Sequence, residues 1–279
     1  MLVFSQIVAL QSFLKESAGK TIGFVPTMGA LHQGHLSLIK ASQDQSDITI
    51  CSIFVNPIQF NKKEDLEGYP RHTEEDLEML KSVNCEVVFV PSIEEMYPSA
   101  HQKQFDFGKL GEVMEGEHRP GHFNGVAIVI ERFFNIIHPQ FAFFGEKDFQ
   151  QLAIIKELAK QLNSSTKIMG CPIFREENGV AMSSRNERLS NEERAQAKVI
   201  FESLTYIKEN YKNATIAEMK QYFIKTVNNT PHFKVEYCSI ADGNTLQPVE
   251  NWHESDYCVA FVAVNVGPVR LIDNMTIFN

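Results

Sequence analysis

The chain lacks the features that would place it outside the cell or in a membrane. Its five cysteines are odd in number and widely spaced, and no two form a C-x-x-C motif, which argues against a structural zinc site. No apolar run approaches the roughly 18 residues that a membrane-spanning helix needs. No basic leader followed by a long apolar core is visible after Met1. These absences predict a cytoplasmic protein with no membrane partner, in a reducing compartment where the thiols stay free.

Several common catalytic signatures are also missing. The sequence has no G-x-x-x-x-G-K-[ST], no G-x-S-x-G and no G-x-G-x-x-G, which counts against P-loop ATPases, hydrolases and NAD enzymes. Basic residues are in deficit, with 26 Lys and Arg against 35 Asp and Glu and a formal net charge of −9. That balance argues against nucleic acid as a partner. It still allows a small anionic ligand held by a few local cations.

The pattern that is present is an alternation of strand and helix signals. Short apolar runs such as 48–55 and 86–90 are typical of buried parallel strands, and periodic apolar positions between them indicate helices. We therefore expect an α/β fold, with a Rossmann-like, doubly wound parallel sheet over residues 1–173. After residue 174 the pattern changes to helices near 191–210 and 216–228 and a β-rich end. This part predicts a smaller α+β domain over 174–279.

A stretch with two histidines follows the first strong strand signal. The run Thr21–Val25 is apolar and β-favouring, the segment 36–41 begins a helix, and His32 and His35 lie between them in an H-x-G-H arrangement. A helix N-terminus favours an anion through its N–H groups and dipole. Two imidazoles beside it could neutralise charge on a transferring phosphate. Two ordinary surface histidines are the alternative.

Other polar residues also follow strands directly, where parallel sheets bind ligands. Gln59 could hydrogen-bond a polar substrate or face solvent, and Lys147 is a point charge suited to phosphate. Gly145 would let the backbone approach a ligand. Asp148 could act there or cap the next helix.

Three further segments have two readings each. The loop with Ser183, Ser184 and Arg185 could clasp a triphosphate, or Ser183 could simply begin a turn. The acidic run 73–76 could serve a helix cap and dipole, or Asp76 could hold Mg²⁺. The loop 116–123 could be a lid or phosphate contact, or a plain surface loop.

The order and spacing of these motifs are far more specific than any one of them. The chain closely resembles the pantothenate synthetase family, within the H-x-G-H nucleotidylyltransferases, over about residues 20–190. The resemblance is carried in order by P-T-M-G-A-L-H-x-G-H, F-V-N-P-x-Q-F, Y-P-R, R-P-G-H-F-x-G-V, F-F-G-E-K-D-x-Q-Q and M-S-S-R-N.

The resemblance implies a ligase that joins pantoate to beta-alanine through a pantoyl adenylate, with ATP and Mg²⁺. It implies a homodimer whose second domain is a lid. The catalytic residues it implies are His32, His35, Lys147, Ser183, Ser184 and Arg185. These same residues would bind ATP, together with Met28, Gly145, Asp148, Phe174 and Met182. Pantoate or beta-alanine would contact Pro26, Met28, Gln59 and Gln151, and Asp76 would lie near the metal.

Two other functions remain open from the sequence. One is an adenylyltransferase of related fold that acts on another acceptor. The other is a non-catalytic nucleotide-binding protein, against which the intact His35, Lys147 and Arg185 argue.

Overall fold

The chain forms two compact units in a computed structural model that describes residues 1–99 and 103–279. The first unit comprises Met1–Gly111, Arg119–Glu146 and Gln151–Pro172. The second comprises Glu112–His118, Lys147–Gln150 and Ile173–Asn279. Two short segments that lie before residue 173 in the sequence thus belong to the second unit. The assignment of an ATP- and pantoate-binding role to 1–173 and of a lid role to 174–279 stays a prediction.

Nine strands form two sheets among the residues that the structure describes. Six parallel strands make the first sheet, in the order β1-β4-β3-β2-β5-β6, and β7-β8-β9 make an antiparallel second sheet. Their bounds are β1 Leu2–Phe4, β2 Ile22–Thr27, β3 Ile48–Ile53, β4 Val87–Phe89, β5 Phe141–Gly145, β6 Lys167–Cys171, β7 Phe233–Asp242, β8 Cys258–Val266 and β9 Val269–Phe278.

Helices connect these strands. Their bounds are α1 Ile7–Glu16, α2 Gln33–Gln43, α3 Lys63–Glu67, α4 Thr73–Ser82, α5 Ile93–Met96, α6 Glu115–His118, α7 His122–Ile137, α8 Phe149–Gln161, α9 Asn191–Gln196, α10 Lys198–Asn210 and α11 Ile216–Asn228. Within the described residues, none is both long and apolar enough to cross a membrane.

The parallel sheet is covered on both faces, as its apolar strands predict. Successive side chains of a strand point to opposite faces. Ile50 of β3 accordingly packs in one apolar cluster with Phe133 of α7, and the next residue, Cys51, packs in another with Ile39 of α2. Burying one such side chain contributes about 1.5–3 kcal/mol. The doubly wound α/β fold expected from the sequence is confirmed.

The strand order reverses between β2 and β5, and these strands separate at their carboxyl ends. Their pairing covers Gly23 with Phe141 and Phe24 with Ala142, whereas β2 continues to Thr27 and β5 to Gly145. A crevice outside the carboxyl ends at such a reversal is where open α/β sheets bind ligands. The H-x-G-H segment follows β2 directly.

The second unit is a helix-covered antiparallel sheet, which confirms the expected α+β class. Leu204 of α10, Phe223 of α11 and Val262 of β8 share one buried core. The single helix predicted over 191–210 is wrong in one detail, because the chain divides it into α9 and α10 at the fully buried Ala197. There Ile200 bonds back three residues to Ala197, which tightens the turn.

The five cysteines are all buried with free thiols, as a reducing compartment allows. Burial raises the pKa of each thiol, to about 12 for Cys85 and Cys238. None is therefore a reactive thiolate at neutral pH.

Candidate active site

A tight turn links β2 to α2 and carries the first histidine of the motif at its end. Gly29 has φ +78°, a region that favours glycine, and Ala30 follows with φ +49°. The turn therefore reverses direction within a few residues, so that α2 begins at Gln33, directly after His32. The segment presents a helix N-terminus at the carboxyl end of the sheet, as the sequence predicts.

Asp76 holds this turn from another part of the chain. Its Oδ2 accepts the N–H of Ala30 at 3.0 Å, and its Oδ1 accepts the N–H of Leu31 at 2.6 Å. A Cβ on Gly29 would lie 2.9 Å from Asp76 Oδ2, which explains the absence of a side chain there. Asp76 is 2% exposed, and burial raises the pKa of its carboxyl. The cap interpretation is wrong for Asp76, because its carboxylate holds this turn.

His32 and His35 are in ring-to-ring contact and half-buried, so they are not two separate surface side chains. Their ring centroids are 4.0 Å apart. The N–H of His32 donates to Nδ1 of His35 at 3.3 Å. In a neutral His35 the proton is therefore on Nε2, which makes Nε2–H the donor of this ring. The pair lies at the N-terminus of α2, where the dipole favours an anion.

Gln59 ends a short 3-10 turn, Pro57–Gln59, that follows β3. Asn56 caps the turn, since its Oδ1 accepts the N–H of Ile58 at 3.3 Å. Gln59 is buried rather than facing solvent, and its Nε2 lies 3.1 Å from Sδ of Met28. The structure thus brings together two of the residues predicted to contact pantoate.

A relay of amides fixes the orientation of the Gln59 side chain, and the sequence did not reveal it. The hydroxyl of Tyr97 donates to Oδ1 of Asn56 at 2.9 Å, and Nδ2 of Asn56 donates to Oε1 of Gln59 at 3.2 Å. Asn56 Nδ2 also donates to the carbonyl of Gly125 at 3.0 Å. Because each amide has one donor end and one acceptor end, the NH₂ of Gln59 is directed away from Asn56.

The R-P-G-H segment supports the same turn. His122 is 5% exposed, and its Nδ1 lies 2.9 Å from the carbonyl oxygen of Gln59. Its Nε2 lies 3.1 Å from NH1 of Arg119. A Cβ on Gly125 would lie 2.6 Å from Cα of Gln59, so α7 approaches the turn at backbone distance. In this structure the segment that includes His122 acts as a support for Gln59.

A cavity of about 280 Å³ opens at the carboxyl ends of β2, β3 and β4 in the first unit. Residues of the turn and of its anchor contribute to the wall, including Met28, Gly29, Phe54, Arg71, Asp76 and Ile93. The cavity wall is largely apolar, and it also contains the carboxylate of Asp76 and the guanidinium of Arg71. The remaining predicted residues of this unit, Pro26 on β2, Gly145 at the end of β5 and Gln151 on α8, are half-buried.

The second unit holds the predicted cationic residues. Lys147 lies in the 3-10 turn Glu146–Asp148, its side chain is 18% exposed, and its Nζ is 3.7 Å from Oδ1 of Asp148. The carbonyl of Lys147 accepts a hydrogen bond from Nδ2 of Asn274 at 2.9 Å. The main chain of Lys147 is thus held by a hydrogen bond, and its ammonium group lies near a carboxylate.

The M-S-S-R segment follows a small hairpin. The N–H of Met182 donates to the carbonyl of the exposed Phe174 at 3.0 Å. Ser183 then caps the 3-10 turn Ser184–Arg188, with its Oγ accepting the N–H of Arg185 at 3.3 Å. The interpretation of Ser183 as the start of a turn is confirmed. Contact of this loop with ATP stays a prediction.

Residues 1–99 and 103–279 contain no separate cluster of side chains that could bind a metal ion. No group of three or more His, Cys, Asp or Glu side chains there is arranged to hold a metal ion. Asp76, the predicted neighbour of the metal, uses one lone pair on each oxygen for the turn amides. A carboxylate oxygen has two lone pairs, so one on each oxygen remains.

Comparison with known proteins covers the full chain. The family model of pantoate-beta-alanine ligase matches residues 2–276. A pantothenate synthetase of Porphyromonas gingivalis is 47% identical over 277 residues, covering 99% of both chains. A solved pantothenate synthetase of Thermus thermophilus covers 100% of both chains with a TM-score of 0.94 and 37% identity. A pantoate-beta-alanine ligase of Francisella tularensis, described as complexed with beta-gamma ATP and beta-alanine, has a TM-score of 0.79 and 33% identity over 99% of this chain and 98% of its own.

Proposed function

Because this chain belongs to the pantoate-beta-alanine ligase family, we propose that it condenses pantoate with beta-alanine, using ATP, to give pantothenate, AMP and pyrophosphate. The full-length family match carries the proposal. The paired histidines at the carboxyl end of β2 and the oriented amide of Gln59 support it. The adenylyltransferase of related fold that the sequence left open gains no support from these relatives.

The reaction has two steps. A carboxylate oxygen of pantoate attacks the α-phosphorus of ATP, the bond to the β-phosphate oxygen breaks, and pyrophosphate leaves. The amine of beta-alanine then attacks the acyl carbon of the pantoyl adenylate, the bond to AMP breaks, and the nitrogen loses a proton. The first step gathers negative charge on the α-phosphate, so preorganised donors and cations stabilise it more than a covalent nucleophile would.

His32 and His35 are suited to that first step. They lie at the N-terminus of α2, and the bond from His32 N–H to Nδ1 of His35 sets which ring nitrogen of His35 donates. Asp76 fixes the turn before them by two hydrogen bonds. Lys147 and Arg185 supply the cations that we assign to the ATP phosphates, with Ser183 and Ser184 as further donors.

Pantoate is assigned to Gln59, Met28, Pro26 and Gln151. Gln59 has the most defined geometry of the four, because its Oε1 accepts a hydrogen bond from Asn56. Its NH₂ group is therefore directed away from Asn56. An amide NH₂ donates to carboxylates and hydroxyls, which are the polar groups of pantoate. The adenosine part of ATP is assigned to Gly145, Asp148, Phe174 and Met182.

Magnesium is proposed to enter with ATP. The ion would neutralise charge on the phosphates when bound. Mg²⁺ usually keeps several waters and needs one or two carboxylates. The remaining lone pairs of Asp76 fit contact through such a water. We also propose a cytoplasmic homodimer, as the family resemblance implies, and the five free thiols agree with a reducing compartment.

Pyrophosphate release tests the function directly. The protein is incubated with ATP and pantoate, with and without Mg²⁺ and with and without beta-alanine. We expect Mg²⁺- and pantoate-dependent pyrophosphate release, with AMP and pantothenate accumulating only when beta-alanine is present. Folded protein that releases no pyrophosphate in the presence of pantoate would contradict the proposal.

A further inference from the structure

Strand β9 carries two buried polar residues in succession, Asp273 and Asn274, which are 6% and 5% exposed. Burying a polar side chain is costly unless it is hydrogen-bonded, so each must have a structural partner. Successive residues of a strand face opposite sides of the sheet. The two side chains therefore serve two different neighbours within the second unit.

Asn274 holds the segment that contains Lys147. Its Nδ2 donates to the carbonyl of Lys147 at 2.9 Å. On the same side of β9, four residues earlier, Arg270 makes a bidentate pair with Glu115 at 2.7 and 2.8 Å. Both short segments that the second unit takes from before residue 173, 112–118 and 147–150, are thus bonded to β9.

Asp273 holds the hairpin that leads to the serine loop. Its carboxylate accepts two bonds from Arg175, at 2.7 and 3.0 Å. Arg175 also donates to the carbonyl of Asn274 at 3.3 Å and pairs across the hairpin with Ala181, directly before Met182. The N–H of Asn274 in turn donates to Oδ1 of Asp273 at 2.8 Å.

We propose that Asn274 is a positioning residue for Lys147 and that the Asp273–Arg175 pair holds Asn274 in place for this task. The main chain at Lys147 decides where its ammonium group can reach. Asn274 fixes that main chain through the hydrogen bond from its side-chain amide. The inference rests on the proposed function, in which Lys147 binds the phosphates of ATP.

Replacement of Asn274 tests the inference, because it should impair the use of ATP and leave the binding of pantoate intact. Asn274→Ala removes the bond to Lys147, and Asn274→Asp keeps the shape but replaces the donating NH₂ by an oxygen. We expect both variants to lower kcat/KM for ATP by about 10- to 100-fold, the scale for a small misplacement of a catalytic group. The KM for pantoate should stay within about twofold of wild type, since Pro26, Met28 and Gln59 lie on other segments and Gln151 is held within helix α8.

Two controls separate positioning from loss of stability. Val227→Ala opens a cavity in the apolar core of the same unit, and Asn228→Ala removes an asparagine that accepts the N–H of Val235. Both should keep kcat/KM for ATP and the KM for pantoate close to the wild-type values at a temperature where the variants are folded. If Asn274→Ala merely reproduces the loss seen with Val227→Ala at an equal drop in melting temperature, the inference fails.

A double variant tests whether the effect passes through Lys147. Residues that act as a unit are strongly non-additive. Lys147→Ala combined with Asn274→Ala should therefore have the same kcat/KM for ATP as Lys147→Ala alone. Additive losses would overturn the inference. Wild-type protein without pantoate-dependent pyrophosphate release would instead refute the proposed function, so the two failures are distinguishable.

Discussion

The carboxylate of Asp76 accepts the N–H of Leu31 at 2.6 Å, although the two residues are 45 positions apart in the sequence. With its second oxygen on the N–H of Ala30, Asp76 fixes the turn that ends at His32. A tight turn with two successive positive φ angles is unfavourable for the chain by itself. The bonds from α4 hold it, so the placement of the histidines depends on a helix that contains neither of them.

Asp76→Asn tests this anchor. An asparagine has one oxygen to accept an N–H, and its NH₂ would meet the second N–H of the turn as donor against donor. We expect the rate of pantoate-dependent pyrophosphate release to fall by about 10- to 100-fold, measured in a single turnover. The neighbouring Glu75→Gln, whose side chain is 80% exposed, is the matched control and should keep the wild-type rate. Equal rates for both variants would contradict the anchoring role.

The pH dependence of stability tests the same carboxyl. Burial raises the pKa of Asp76 in the folded protein above its unfolded value of about 3.9. A group with a raised folded pKa contributes stability that is present below the unfolded pKa and is lost as pH rises through the folded pKa. Relative to Asp76→Asn, the wild type should therefore gain melting temperature as pH falls toward 3.9, about the unfolded pKa. A wild-type advantage that grows with rising pH would contradict this assignment.

Tyr97→Phe removes the first donor of the amide relay. Without the hydroxyl, Oδ1 of Asn56 loses one of its two donors and keeps the N–H of Ile58, so the amide that directs the NH₂ of Gln59 is held less firmly. We expect the KM for pantoate to rise by about three- to tenfold, the scale of one neutral hydrogen bond, with the KM for ATP unchanged. The exposed Tyr206→Phe is the control in steady-state kinetics. An equal rise for both substrates would show a general defect.

Gly125→Ala tests the close approach of α7 to the Gln59 turn. Alanine is better than glycine in a helix by about 1 kcal/mol, but its Cβ would lie 2.6 Å from Cα of Gln59. The turn must therefore shift, and we expect the KM for pantoate to rise by about tenfold or more. In Gly111→Ala the new Cβ meets Phe107 at an ordinary 3.5 Å, so its kinetics should not change. A Gly125→Ala enzyme with wild-type KM for pantoate would show that the turn yields without consequence.

His35→Ala tests the donor at the N-terminus of α2. Loss of one preorganised transition-state donor lowers a rate by roughly 10²–10³-fold, and we expect that loss in the adenylation step. The exposed His253→Ala, in the second unit, should leave the step unaffected. An unchanged adenylation rate in His35→Ala would remove this imidazole from the mechanism.

The sequence predicted the fold class and most of the candidate residues because both depend on local signals. The continuous apolar run that contains Ile50 and Cys51 predicted a strand buried on both faces of the sheet, and the order of motifs marked the candidate residues after β2, β3 and β5. It left the partner of Asp76 unknown, since nothing in the run 73–76 indicates that a carboxylate faces a turn formed 45 residues earlier. Tyr97 lay outside every motif for the same reason, being 41 residues from Asn56.

What the sequence by itself determined is the set of chemical groups and the elements that carry them. Hydrophobic period and turn residues are properties of neighbouring positions, so they can be read along the chain. Only the tertiary structure decided which amide faces Gln59, which carboxylate holds the turn before His32, and which strand bonds to Lys147. Those contacts join residues that are distant in sequence, and their geometry exists only after the strands and helices have packed.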